Sequence, residues 1–571
     1  MIQENHKCIR RNVKGDQLHS LSMLKRAIVK AYLIKAWEID QPIQSCFIKL
    51  HSDRTFQKIL KLVNSVSLNR LKPQRSDFEK LLNFLQQRSS IRSLRLDLLN
   101  IIKHPLSISN SEMLAFLVAK ISKRGFLKRL KKFHVNFCDV ELNCHLQRKL
   151  YHCLTFFKEL NSYKFKIDTQ EPYSPDLSST INLYNNLRYL RDLQSLSFDL
   201  TTLNNLEVCE AVGKRLLKFS SLEKIEISGF LNDNFNKNSE AFILLLSHIS
   251  KLKNIKFLNI STFDYSKSKS YDKVIVSIEN LIQRLSNLEV LDLKADFTAK
   301  RSQLMSLWDT LGLHDRLTTL KFSFLAQQMN SALIQHISQN LSKLSKLQIL
   351  SLIFVGPEVS FTEYDMGQFA KGISSIHKLT HLKLYFPPSS KSKYDSFFEK
   401  MGQLPALTTF KFSGDQKPEK IIKFIGKHPN VESLKLILKN LAKVQLNNLD
   451  ELKNITYLRK FCLRADGIEQ EAKFLISLLR HFKQLEKCEI RNKGLTIRKE
   501  DWMDVLESFV KAEKLEKLSF HASFYGFGQE IHKAVPFLGY TSRFKHLSVT
   551  AFVEDAPPTT FQFSDPDLWF Y

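Results

Sequence analysis

Apolar positions recur along this chain in a short, rigid pattern. The motif L-x-x-L-x-L, with Ile, Val, Phe or Tyr allowed at the anchors, reads IRSLRL at Ile91, LQSLSF at Leu193, LEKIEI at Leu222 and LEVLDL at Leu288. It returns as LTTLKF at Leu317, LQILSL at Leu347, LTHLKL at Leu379, LTTFKF at Leu407 and VESLKL at Val431, and then at Leu458, Leu485 and Leu515. Weaker copies start at Val63, Leu130, Leu160, Ile255 and Phe544, which makes 17 anchors at a mean spacing of about 30 residues. The last anchors alternate apolar and polar with period two, the mark of a half-buried strand. Before the strand lies a stretch with apolar residues at three- and four-residue spacing, as in AVGKRLLKFSS from Ala211 or FAKGISSIHK from Phe369, which predicts a helix.

A strand that recurs with a helix in between must pair in parallel with its neighbour, and neither element can bury its apolar face without the next unit. The pattern therefore predicts an α/β solenoid. It resembles the leucine-rich-repeat family, and the 28–30-residue period with a full helix is similar to the ribonuclease-inhibitor-like class. That resemblance implies a right-handed horseshoe of about 17 repeats over residues 60–550, with a parallel sheet on the concave face and helices on the convex face. The fuller family signature, with Asn or Cys three residues beyond the last anchor, is met at Leu130, Phe133, Val135, Cys138 and Val140. Elsewhere Asp296, Asp415 and Ser523 stand in its place, so irregular turns are expected. By this reading residues 1–45 form a helical N-terminal cap, 46–551 the solenoid, and 552–571 an acidic, aromatic C-terminal tail or cap. Connections at Asp168–Ser179, Ser261–Lys273 and Phe386–Tyr394 read as surface loops.

Strand periodicity also names the residues that face outward on the concave sheet. From Leu288 onward one column reads Asp292, Lys321, Ser351, Lys383, Lys411, Lys435, Cys462, Glu489. The next reads Lys294, Ser323, Ile353, Tyr385, Ser413, Ile437, Arg464, Arg491. Lysines on three consecutive strands beside exposed Ile and Tyr form a candidate partner surface. Its members are Lys321, Lys383, Lys411, Lys435, Tyr385, Ile353, Ile437, Arg464 and Arg491.

Charge adds a second candidate. Among the 571 residues Lys+Arg 85 against Asp+Glu 57 leaves +28, of which residues 1–150 carry +18 and residues 501–571 carry −4. The densest basic run is Lys123, Arg124, Lys128, Arg129, Lys131 and Lys132, a patch suited to phosphate backbone or an acidic partner. Two partner classes follow: protein, acidic in character, on the concave face, and nucleic acid through residues 1–150.

Chemistry is otherwise sparse. G-x-S-x-G, H-E-x-x-H and C-x-x-C are all absent from the sequence, and the P-loop spacing of Gly367 and Gly372 is followed by Ile373 in place of the lysine. His134, Cys138, Cys144, His145, His152 and Cys153 cluster without the paired spacing of a structural zinc site. No catalytic residue, metal or cofactor is expected. Apolar runs such as Phe242 to Leu246 fall far below the roughly 20 residues that cross a bilayer, and the eight Cys form no disulfide framework. The expected setting is intracellular, cytoplasmic rather than nuclear, with no membrane span.

Overall fold

The computed structural model describes residues 65–69, 93–98, 130–138, 157–168, 187–199, 205–230, 235–263, 271–295, 300–325, 330–355, 362–387, 395–414, 418–438, 454–465, 470–527, 546–553 and 558–563, apart from 158. Residues 1–45 and 564–571, with the cap assigned to the first and most of the tail, lie outside this set. The chain divides into two compact units, Met1–Ser228 with Glu240–Asn254, and Gly229–Ser239 with Ile255–Tyr571.

In the first unit, strands β1 (Ser65–Asn69), β2 (Ser93–Leu98), β3 (Lys132–Cys138), β4 (Ser162–Asp168), β5 (Ser195–Asp199) and β6 (Lys224–Phe230) pair in chain order, each parallel to the next. Helix α1 (Leu206–Leu216) precedes β6; α2 (Phe235–Ile249) follows it. The two helices approach closely: a Cβ on Gly213 would stand 2.1 Å from the His248 ring, so only glycine fits there.

The second unit repeats one step many times. Strand β7 (Phe257–Phe263), helix α3 (Tyr271–Arg284), β8 (Val290–Ala295), α4 (Arg301–Gly312), β9 (Thr319–Leu325), α5 (Ser331–Leu341), β10 (Ile349–Val355), α6 (Glu363–Ser374) and β11 (His381–Tyr385) alternate strictly. Then follow α7 (Asp395–Lys400), β12 (Thr409–Gly414), α8 (Pro418–Gly426), β13 (Ser433–Leu438), β14 (Lys460–Ala465) and the two-residue β15 (Gln470–Glu471). The unit continues with α9 (Ala472–His481), β16 (Lys487–Arg498), α10 (Trp502–Lys511), β17 (Lys517–Tyr525), β18 (His546–Val553) and β19 (Thr559–Phe563). From β7 to β18 each strand pairs in parallel with the next, β14 passing directly to β16. β19 alone runs antiparallel, returning along β18. Every anchor read from the sequence opens onto a strand that starts two residues after its first apolar position.

The turn that feeds each strand is as regular as the strand. The N–H groups of Leu288, Leu317, Leu347, Leu379, Leu407, Val431, Leu485 and Leu515 each donate to the carbonyl three residues before, closing the same turn. Anchor side chains are buried, and β11 shows the alternation most plainly, with exposed His381, buried Leu382, exposed Lys383 and buried Leu384. The helices cover the buried side. Trp308 of α4 meets Phe322 of β9, Phe369 of α6 meets Phe354 of β10, Phe424 of α8 meets Phe410 of β12, and Phe509 of α10 meets Phe520 of β17. The other face is open at His381, Lys383 and Lys411, which are exposed.

All three loop expectations need correction at their ends. β4 runs to Asp168, β7 carries Ser261 and extends to Phe263, α3 has begun by Lys273, and Phe386 is a core residue 1% exposed, stacked on Phe354 at 5.2 Å. At Asp168 and Ser261 polar neighbours masked a ladder that tertiary pairing prolongs. Ser523, expected at an irregular turn, likewise lies inside β17. Gly367 and Gly372 lie within α6, and a Cβ on Gly372 would reach 2.7 Å from the Ser338 backbone of α5. Glycine here serves helix packing. Among the described residues no helix is long and apolar enough to cross a membrane.

Candidate functional site

The parallel ladder turns the sequence columns into physical rows. Asp292, Lys321, Ser351, Lys383, Lys411, Lys435, Cys462 and Glu489 are successive register partners across β8 to β16, as are Lys294, Ser323, Ile353, Tyr385, Ser413, Ile437, Arg464 and Arg491. Neighbouring strands stand roughly 4.8 Å apart, so each row places one side chain per strand on the open face.

The charges on this face are not equivalent. Asp292 is 5% exposed and takes Lys321 Nζ at 3.4 Å on Oδ2 and Lys294 Nζ at 3.4 Å on Oδ1. Glu489, also buried, accepts from Arg464 Nη2 at 2.7 Å and Nε at 3.1 Å, and from Arg491 Nε at 2.9 Å, all on Oε1. Lys487 Nζ stands 3.9 Å from its Oε2. Burial pushes the Glu489 carboxyl up, but the Arg464 hydrogen bonds with the charges of Arg464, Arg491 and Lys487 outweigh it and hold the group below the usual carboxylate range. It stays ionised and ties three cations.

Lys383, Lys411 and Lys435 lie between these two clusters. Among the described residues no carboxylate pairs with any of them. Loss of solvent, then the ammonium groups of Lys411, Lys294, Lys435 and Lys321, hold Lys383 below the ordinary lysine value. His381, one step along the same strand, is held low by burial and by Lys411. The face therefore concentrates positive charge that no described carboxylate neutralises. Ile353, Tyr385 and Ile437 are half-buried in the adjoining row. Of the expected partner residues, Lys383, Lys411, Lys435, Tyr385, Ile353 and Ile437 form one patch, while Lys321, Arg464 and Arg491 belong to the ion-paired clusters at its ends. Sequence columns contained Asp292 and Glu489, yet nothing in their spacing distinguished a buried clamp from a solvated acid.

Below the row the core is aromatic. Phe386 meets Phe397 at 5.6 Å and Phe412 at 5.9 Å; Phe398 meets Phe412 at 5.1 Å and Phe424 at 5.6 Å. His428, in the turn before β13, donates from Nδ1 to the Phe424 carbonyl at 2.8 Å and accepts the Leu404 N–H on Nε2 at 3.0 Å. Both ring nitrogens are thus used in the neutral state, and burial pulls its pKa down.

Of the basic patch, Lys131 and Lys132 are exposed at the start of β3; Lys123, Arg124, Lys128 and Arg129 lie outside the described residues. In the histidine-cysteine stretch, His134 Nε2 lies 2.8 Å from Ser162 Oγ and Cys138 ends β3; Cys144, His145, His152 and Cys153 lie outside. Among the described residues no group of three His, Cys, Asp or Glu is placed to hold a metal. Cys209 and Cys488 are buried thiols outside any disulfide, and burial raises the Cys209 pKa to about 12.

No protein-family model matches the chain, and no curated protein matches it. Solved structures that it resembles include a TLR13–ssRNA13 complex, at 14% identity and TM-score 0.30 over 81% of this chain and 62% of that one. Another is the complex of Rad7 and Elc1 in yeast, at 14% identity and TM-score 0.35 over 91% and 96%. The chain thus spans under two thirds of the TLR13 chain. At this distance neither likeness says what binds here; the ladder register and the ion pairs carry that question.

Proposed function

We propose that the chain is a right-handed leucine-rich-repeat solenoid of the ribonuclease-inhibitor-like class, with about 17 repeats, acting as a non-catalytic scaffold that holds an acidic protein partner. The contact surface is the open, concave face of the second unit around Lys383, Lys411, Lys435, Tyr385, Ile353 and Ile437. One observation carries the reading. Among the described residues three in-register lysines have no carboxylate, between two clusters in which every cation has one, so this face retains a charge it could have compensated. Side-by-side ammonium groups roughly 5 Å apart repel by about 0.8 kcal/mol in a water-like dielectric, a cost that an anionic partner reverses. The β19 return along β18 supports a cap role for the tail, because it covers the last parallel edge.

Affinity capture from cell extract with the wild-type chain and with a Lys383→Glu, Lys411→Glu, Lys435→Glu variant tests this reading. The expected result is a protein retained by the wild type and lost with the variant. Retention of nucleic acid alone, at low salt and through residues 1–150, would replace it with the ribonucleoprotein reading.

A further inference from the structure

The cationic row does not stop at Lys435. On the next two strands of the ladder it steps into the adjoining row, as Arg464 on β14 and Arg491 on β16. Lys383, Lys411, Lys435, Arg464 and Arg491 therefore occupy five successive ladder strands, a path about 19 Å long that shifts about 7 Å along the strand direction. The fold's own carboxylates mark its ends. Asp292 lies beyond Lys321 at one end, and Glu489 lies beneath the arginine pair at the other. Arg464 spends Nε and Nη2 on Glu489, and Arg491 spends Nε, which leaves guanidinium donors for a second anion. Tyr385 and Ile437 flank the lysines in the adjoining row.

We propose that this path seats an acidic amphipathic helix of the partner, lying across the strands at a shallow incline. This rests on the reading of the face as a protein-binding surface and names its occupant. Carboxylates at i, i+4, i+7, i+11 and i+14 recur about every 5.4 Å along a helix, so five of them, one per cation, span about 21 Å against the 19 Å of the path. An extended peptide presents one face every 6.8 Å or so and would overrun the same five strands by about 8 Å. Lysine side chains absorb the first mismatch and not the second. Apolar residues one position on from the carboxylates then meet Tyr385 and Ile437. Single-stranded nucleic acid is less well served, because it binds by stacking on aromatic platforms and Tyr385 is the one aromatic carbon ring in the two rows from β8 to β16.

Fluorescence anisotropy with the full chain at low salt tests the proposal with three labelled probes. These are an alanine-based 16-residue peptide with Glu at i, i+4, i+7, i+11 and i+14 and Leu at the adjacent positions, a scrambled peptide of the same composition, and a 15-nucleotide oligouridylate. The ordered peptide should bind at least tenfold tighter than the scrambled one, and Lys383→Glu with Lys411→Glu should weaken it at least tenfold. Lys346→Glu, a reversal at an exposed cation away from the path, should leave it unchanged. Equal binding of the scrambled peptide overturns the helix; if capture of the cellular partner still depends on Lys383 and Lys411, the surface reading stands without it. Tighter binding of oligouridylate that displaces the peptide overturns both.

Discussion

Two stretches of one sheet show opposite solutions to the same problem. Around Asp292 and Glu489 each cation of the open face leans on a buried carboxylate, and the cluster resembles an internal ion-pair network. From β11 to β13, with the same backbone, register and spacing, no described carboxylate pairs with Lys383, Lys411 or Lys435, and Lys383 is held below the ordinary lysine value by loss of solvent and by its neighbours. The parallel ladder cannot relax this by moving its strands, because anchors such as Leu382, Phe410 and Leu434 are locked in the core beneath. The difference teaches that repeat geometry copies a position faithfully and leaves its chemistry free.

The largest effect should come from removing the support. Phe386→Ala empties the centre of the aromatic cluster under the row and should cost about 3–5 kcal/mol, read as a fall in denaturation midpoint. If the loss is under 1 kcal/mol, the row is not held by that core. Next is the flank. Glu489→Gln leaves Arg464, Arg491 and Lys487 facing each other and should cost about 2 kcal/mol. It should at the same time make this end of the sheet behave like the lysine row, with tighter uptake of acidic peptide; unchanged uptake would break the comparison.

Acid should separate the two regions by pH. The folded pKa of His428 is depressed, so its contribution is complete above about pH 6.5 and is lost as pH falls through that value towards the folded one. Glu489 is also depressed, from a carboxylate reference, so its contribution persists until pH falls below about 4.3. Hydrogen exchange at pH 7.5 and 5.5 should show residues 418–438 losing protection before residues 487–491; simultaneous loss would contradict this order. The smallest effect belongs to the row itself. Lys411→Gln relieves one repulsion on each side and should stabilise by about 0.5 kcal/mol at low salt, fading as salt is added. A destabilised variant would mean that Lys411 has a partner in the free protein.

Most of the scaffold was legible beforehand because the strand signal is local. Alternation at Leu288, Leu317 or Leu379 states which side chains point inward, and parallel pairing of equal units then sets Lys383 opposite Lys411 without further information. Strand ends were harder, since Ser261 and Asp168 are extended only because a neighbouring strand pairs with them. What could not be read was the pairing of charges. Asp292 and Glu489 occupy the same kind of position as Lys383, and whether a side chain there is clamped or left alone depends on the reach of residues about 30 places away in the chain.

The central claim is that the β11–β13 row is an uncompensated charge awaiting an anion, and thermal unfolding with and without poly-L-glutamate tests it most directly. At low salt the wild-type melting temperature should rise with the polymer, and the Lys383→Gln, Lys411→Gln, Lys435→Gln variant should melt higher alone and gain little from it. A variant that responds to the polymer as strongly as the wild type, or that melts lower by itself, would contradict the account.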